Sequence, residues 1–213
     1  MQKTILSCED WIHILSRVAQ RIETERDRLN QLDGVIGDGD HGVTMSIGFR
    51  ALRRSLETLD GSLTMDKVFQ TAGDAFISAA GGAIGPLIGT MLTDTGTSFA
   101  GRTTFGSEET VWMLEGMEKA LVRGGKASPG DKTMLDALHP AAVAARAAEN
   151  EGIVEILREA ADAAAAGARS TSGMVSRVGR SSRLGERTLG HEDAGANSIA
   201  LILRALEEEV AAL

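Results

Sequence analysis

Three carboxylates, Asp33, Asp38 and Asp40, fall within the stretch Leu32-Asp33-Gly34-Val35-Ile36-Gly37-Asp38-Gly39-Asp40-His41-Gly42, which glycine interrupts four times. Such density points to a hard cation, because Mg²⁺ prefers oxygen ligands and keeps positions open for phosphate oxygens. Gly37, Gly39 and Gly42 also satisfy the dinucleotide pattern G-x-G-x-x-G, but that pattern works between a strand and a helix. A helical pattern precedes it here, and bare Asp38 and Asp40 would repel a pyrophosphate. An EF-hand counted from Asp38 needs a bidentate glutamate where Phe49 stands. Plain Asp-Gly turns explain one such pair better than three carboxylates beside a histidine. Asp60, outside the motif, is a reference carboxylate without such neighbours.

Two further glycine loops suit an anion. Gly81-Gly82-Ala83-Ile84-Gly85-Pro86 precedes an apolar helical pattern, with Pro86 placed for a first turn, so free backbone N–H groups there can meet a phosphate. Gly124-Gly125-Lys126-Ala127-Ser128-Pro129-Gly130-Asp131-Lys132-Thr133 ends one helix and starts another; glycine ends helices commonly, so each loop alone is weak. A third cluster, residues 179–187, gathers Arg180, Arg183 and Arg187 before Gly190-His191-Glu192-Asp193-Ala194-Gly195. The planar arginine fork suits phosphate.

The elements that must position these loops read as helices. From Glu9 to Leu32 the apolar residues Trp11, Ile14, Leu15, Val18, Ile22, Leu29 and Leu32 recur mostly at steps of three or four, predicting one amphipathic helix that starts near residue 8. Ser7 and Asp10 suit its N-terminal cap. The period returns from Val43 to Leu59, from Val68 to Ala79, and over 86–100, 108–123, 132–149, 151–170 and 194–212, which makes about eight helices. Alternating β-type runs are nearly absent and the three prolines fall near expected helix boundaries, so the fold class is all-α. The alanine-rich run 160–168 reads as helix propensity first and close helix approach second. Without a repeat or linker, one domain is the economical reading.

The chain has 213 residues, enough for a core without staples. With 22 basic against 30 acidic residues the net charge is −8, which removes general attraction to nucleic acid or anionic lipid. The single Cys8 excludes an intrachain disulfide framework and a multi-cysteine zinc site, and fits a cytoplasmic setting. Nowhere do 18 apolar residues run together, and the segment before Cys8 lacks the apolar stretch of a secretion signal.

The runs 33–42, 81–89 (GGAIGPLIG), 129–137 (PGDKTMLDA) and 179–195 (GRSSRLGERTLGHEDAG) together resemble the ADP-binding L subunit of dihydroxyacetone kinase, in the right order along essentially the whole chain. The resemblance implies a closed antiparallel barrel of eight amphipathic helices with nucleotide-binding loops at one end. It places Mg²⁺ ligands on Asp33, Asp38 and Asp40, and contacts to ADP or ATP on His41, Gly42, Val43, Thr44, Gly82, Ala83, Ile84, Gly125, Met134, Arg180, Glu192, Asp193, Ala194 and Gly195. Two positions depart from it: Ile84 replaces a usual serine, removing a hydroxyl near the phosphates, and Ala194 replaces a usual proline. The implied partners are a substrate-binding K subunit, a phosphohistidine phosphocarrier where ATP is not the donor, and a second copy of the chain.

Among single residues, His41 reads as a nucleotide contact and His191 is evenly balanced. His13 and His139 read as structural or exposed. Lys132 reads as part of a helix cap before it reads as a phosphate ligand, and Trp11 and Trp112 as core. Every motif is accounted for by metal, phosphate or nucleotide, and none is left over for a triose. The expected function is therefore the nucleotide-binding half of a kinase for dihydroxyacetone or a related short ketose; the alternative is a nucleotide-dependent regulatory module without catalysis.

Overall fold

A computed structural model describes residues 3–59 and 63–213; Asp60 lies outside the described residues. Among these are nine α-helices: α1 (Cys8–Thr24), α2 (Arg26–Ile36), α3 (His41–Leu56), α4 (Met65–Ala79), α5 (Ile84–Gly96), α6 (Ser107–Gly125), α7 (Leu135–Ala147), α8 (Ile153–Ser170) and α9 (Ala194–Ala211). The chain is all-α apart from a two-residue antiparallel pair, β1 (Leu6–Ser7) on β2 (Thr104–Phe105), which the sequence did not suggest. The helix contacts are cyclic: α1 packs on α3, each helix from α3 to α8 packs on its successor, and α9 returns to α1. The apolar stripes meet inside, where Trp11, Phe69, Phe76, Phe99 and Phe105 are fully buried. Trp11 and Phe105 meet edge-on at 4.5 Å, an arrangement that adds to plain area burial.

The predicted first helix is two. Ser7 and Asp10 do form the capping box, but the apolar period lapses between Ile22 and Leu29 and the helix breaks at Glu25 (φ −91°, ψ 5°). α2 then lies against α3 and α9, and its last turn delivers Asp33. α7 starts at Leu135 rather than 132, because Lys132 has φ +64°, outside helical space.

Pro140 sits inside α7, not at its boundary. Its missing N–H leaves the Asp136 carbonyl without its helical donor, and that oxygen lies only 2.2 Å from where a Cβ on Gly167 would be. Gly167 is thus required for α8 to pass over the proline turn. Ala160, Ala161, Ala164 and Ala168 are buried on the same helix, so the alanine run serves close approach as well as propensity. Trp112 is only partly buried and carries the Arg102 guanidinium 4.9 Å from its ring centroid.

Candidate functional site

A cavity of about 320 Å³ lies where α2 ends and where α3, α5 and α9 begin. His41 and Thr44 reach it from the first turn of α3, Ile84 from that of α5, and Ala194 from that of α9. Each helix N-terminus presents unbonded N–H groups and about half a positive charge. Three of them on one cavity favour an anion.

The acidic loop forms the facing wall. Asp33 turns its carboxylate inward, where Oδ2 accepts from the backbone N–H of Gly39 at 2.8 Å and of Asp40 at 3.1 Å. A Cβ on Gly37 would lie 2.1 Å from Asp33 Oδ1, so glycine is required there. Gly39 takes φ +77°, which glycine adopts at low cost. One carboxylate oxygen from each of Asp33, Asp38 and Asp40 lies within 4.8 Å of the others. An all-oxygen set this tight fits a hard cation such as Mg²⁺. Arg180 reaches across the cavity and ion-pairs with Asp38.

Asp193 caps α9, its carboxylate accepting from the Ala196 N–H at 2.7 Å. Its pKa is pushed up to about 6, chiefly by burial, with Asp136 and Asp33 adding to the rise while the Ala196 N–H and Lys132 oppose it. His41 is 7% exposed, and its Nε2 lies 2.7 Å from Ser198 Oγ on α9. Burial lowers its pKa against the pull of Asp33, so the ring is neutral near pH 7. His41 therefore both lines the cavity and ties α3 to α9.

The glycine loop before α5 supplies Gly82 at φ +65°. Ile84 lines the cavity without a hydroxyl to offer. One turn along α5, Leu87 joins Gly125, Ala127, Met134 and Val178 around a second, almost wholly apolar pocket of about 70 Å³.

The structure thus brings Asp33, Asp38, Asp40, His41, Thr44, Gly82, Ala83, Ile84, Arg180, Asp193 and Ala194 to one cavity, and Gly125 and Met134 to the next. Gly42, Val43, Glu192 and Gly195 line neither. A Cβ on Gly42 would lie 2.0 Å from the Arg26 carbonyl oxygen, and one on Gly195 would lie 2.9 Å from Met134 Cγ, so both glycines allow close packing. The Val43 N–H donates to Asn30 Oδ1, and Glu192 accepts from Asn197 Nδ2. His13 and His191 are exposed, and His139 bonds Glu118. Sequence reasoning underrated Lys132: it is 1% exposed and donates to three backbone carbonyls rather than facing the cavity. Its left-handed backbone leaves no mark in residue type.

An anion cavity built on three helix N-termini, with an oxygen-ligand cation site in its wall and an arginine across it, defines a class of all-α phosphate-binding fold. Residues 35–208 match the DAK2 domain family, and the chain belongs to that family. It is 35% identical to the PEP-dependent dihydroxyacetone kinase 2, ADP-binding subunit DhaL, of Listeria innocua, over 99% of this chain and 98% of that one. It is 34% identical to the corresponding ADP-binding subunit DhaL of Escherichia coli, over 94% and 96% of the two chains. The crystal structure of the dihydroxyacetone kinase from C. freundii in complex with AMP-PNP and Mg²⁺ superposes with a TM-score of 0.73 at 28% identity, over 92% of this chain and 33% of that one. The chain therefore spans about a third of that kinase.

Proposed function

We propose that the chain is the nucleotide-binding subunit of a kinase for dihydroxyacetone or a related short ketose, holding Mg-ADP or Mg-ATP for phosphoryl transfer to a substrate carried on a separate K subunit. The observation that carries this reading is the convergence of three helix N-termini, three carboxylates and Arg180 on one cavity. The full-length likeness to subunits named ADP-binding supports it.

Residues 1–213 then act as one nucleotide-binding domain, and the cyclic helix contacts support a closed barrel around it. Asp33, Asp38 and Asp40 would hold Mg²⁺, which neutralises phosphate charge during transfer. The first-turn N–H groups of α3, α5 and α9 that are not already bonded orient the phosphate oxygens, with Thr44, Gly82 and Ala83 beside them. Arg180 exchanges Asp38 for phosphate. The apolar pocket of Leu87, Gly125 and Met134 takes the adenine, with the polarizable Met134 thioether against the ring. Gly42 and Gly195 support these contacts by allowing close packing, and Val43 and Glu192 through their hydrogen bonds to Asn30 and Asn197. No catalytic side chain is assigned beyond the metal and nucleotide site, since positioning and charge neutralisation carry phosphoryl transfer.

Where the donor is not ATP, a phosphohistidine phosphocarrier recharges bound ADP; the names PEP-dependent and PTS-dependent of the relatives support that arm. A homodimer and a cytoplasmic setting complete the proposal. Among the described residues no helix is long and apolar enough to cross a membrane.

Calorimetry with ADP, with Mg²⁺ and with EDTA, tests the site, and equal binding in both overturns the metal role. A coupled assay with dihydroxyacetone tests the function: no turnover by the chain alone, and turnover on adding a K-type subunit. Turnover without the partner overturns the division of labour. Binding with no turnover even with the partner favours a regulatory module instead.

A further inference from the structure

Lys132 has a fully buried ammonium that the proposed chemistry leaves unused. Its three donors are all engaged: Nζ lies 3.1 Å from the Met174 carbonyl, 2.5 Å from that of Thr188 and 2.6 Å from that of His191. Those acceptors come from both sides of Arg180, so one cation closes the base of the arm that carries it.

The turn bearing Lys132 is itself braced. Asp136 accepts from the N–H groups of Gly130 and Thr133 at 2.5 and 2.7 Å, and the Arg177 N–H of the arm donates to the Asp131 carbonyl at 3.1 Å. Lys132 holds φ +64°, a conformation that costs a side-chain-bearing residue energy and persists only where its surroundings enforce it. Burying an ammonium is also costly, and a methionine would fill the same space more cheaply. Packing alone does not account for a lysine here. What the ammonium supplies is three converging donors, and the arm's own regular structure is limited to 3₁₀ turns over Ser181–Thr188, kinked at Gly185.

We infer that Lys132 is a positioning residue of the nucleotide site, pinning the two sides of the 174–191 arm together so that Arg180 stands over the phosphate cavity and Asp193 caps α9 at its edge. The inference rests on the nucleotide reading for its functional consequence and on the three carbonyl contacts for its structural one. The experiment separates the two.

Hydrogen exchange on the unliganded full chain reads the pin without any nucleotide. In Lys132→Met, amides of residues 174–191 should exchange about tenfold faster, while those of α4, α5 and α6 stay within about twofold of wild type. Calorimetry with Mg-ADP then reads the consequence: affinity should fall about tenfold in Lys132→Met. Lys132→Gly, which suits the positive φ, should lose the same affinity and regain part of it with added propylammonium but not with tetramethylammonium at equal ionic strength. Unchanged exchange in the arm overturns the inference. So does acceleration spread through α4–α6, or insolubility of both variants, since either makes Lys132 a general strut. Failure of the wild type to bind Mg-ADP overturns the nucleotide reading alone.

Discussion

Two segments meet at the cavity and are held on opposite plans. The metal loop, residues 33–42, is held by its own sequence neighbours: Asp33 binds N–H groups six and seven residues on, and glycines at 37 and 39 clear the way. The arm, residues 174–191, is held from outside, by a lysine 42, 56 and 59 residues away from its three acceptors. Within the arm, Ser181–Thr188 forms 3₁₀ turns kinked at Gly185, Ser176 and Thr188 bond each other and Gly190 donates to the Ser172 carbonyl just before the arm, but no α-helix or sheet ladder forms there. A segment held by short 3₁₀ turns and local links opens at a lower free energy than an α-helix. The metal loop is therefore preformed, whereas the arm, with Arg180 at its tip, depends on the rest of the fold.

The comparison is broken most strongly by forcing the loop's support apart. In Gly42→Ala the new Cβ meets the Arg26 carbonyl, a backbone atom that cannot turn aside, so α2 and α3 must separate. A loss of about 3 kcal/mol is expected in denaturant unfolding followed by circular dichroism; a loss below about 0.5 kcal/mol would show that the helices are not closely constrained.

Next come the carboxylates. Asp38→Asn and Asp40→Asn keep shape and remove charge, so Mg-dependent ADP affinity should fall tenfold or more, about 1.4 kcal/mol per decade, while ADP affinity in EDTA holds or rises. Asp74→Asn, exposed on α4 with Gln70 as its only side-chain partner among the described residues, is the control. Equal losses in Mg²⁺ and EDTA would contradict a metal role.

Arg180→Ala probes the arm. It frees Asp38, so Mg²⁺ alone should bind slightly tighter, while Mg-ADP should bind about fivefold weaker, or roughly 1 kcal/mol, with helical content unchanged. If the variant unfolds instead, the Arg180–Asp38 pair is a structural tie between the two segments.

The smallest effect is a pH dependence. The folded Asp193 carboxyl titrates near 6 against an ordinary 3.8. A raised acid pKa means that the stabilisation is present below the unfolded value and is lost as pH rises through the folded one. Relative to Asp193→Asn, the wild type should lose about 0.8 kcal/mol of stability between about pH 5.5 and pH 7. A flat difference would mean that the carboxyl is better solvated than its surroundings imply.

Much of this protein was legible because its signals are local. Helical periodicity identified the elements, since burying one stripe every three to four residues has few other solutions. The Asp33, Asp38, Asp40 set was legible because candidate cation ligands from one loop lie near one another in sequence. Glu25 escaped, because a break between two helices that resume at once leaves no glycine or proline behind. Pro140 misled for the converse reason: Gly167 on a neighbouring helix makes room for the carbonyl that the proline frees, and no local pattern shows that.

By itself the sequence determined an acidic, all-helical chain with a carboxylate loop suited to a hard cation and anion-suited glycine turns, because propensity, periodicity and ligand chemistry act over a few residues. Only the tertiary structure decided that α3, α5 and α9 aim their N-termini into one cavity, that Gly125 and Met134 belong to a separate apolar pocket, and that Lys132 faces inward to hold the arginine arm. Those outcomes depend on the direction of helix axes and on contacts between residues dozens of positions apart. Such contacts are set by packing the whole ring at once.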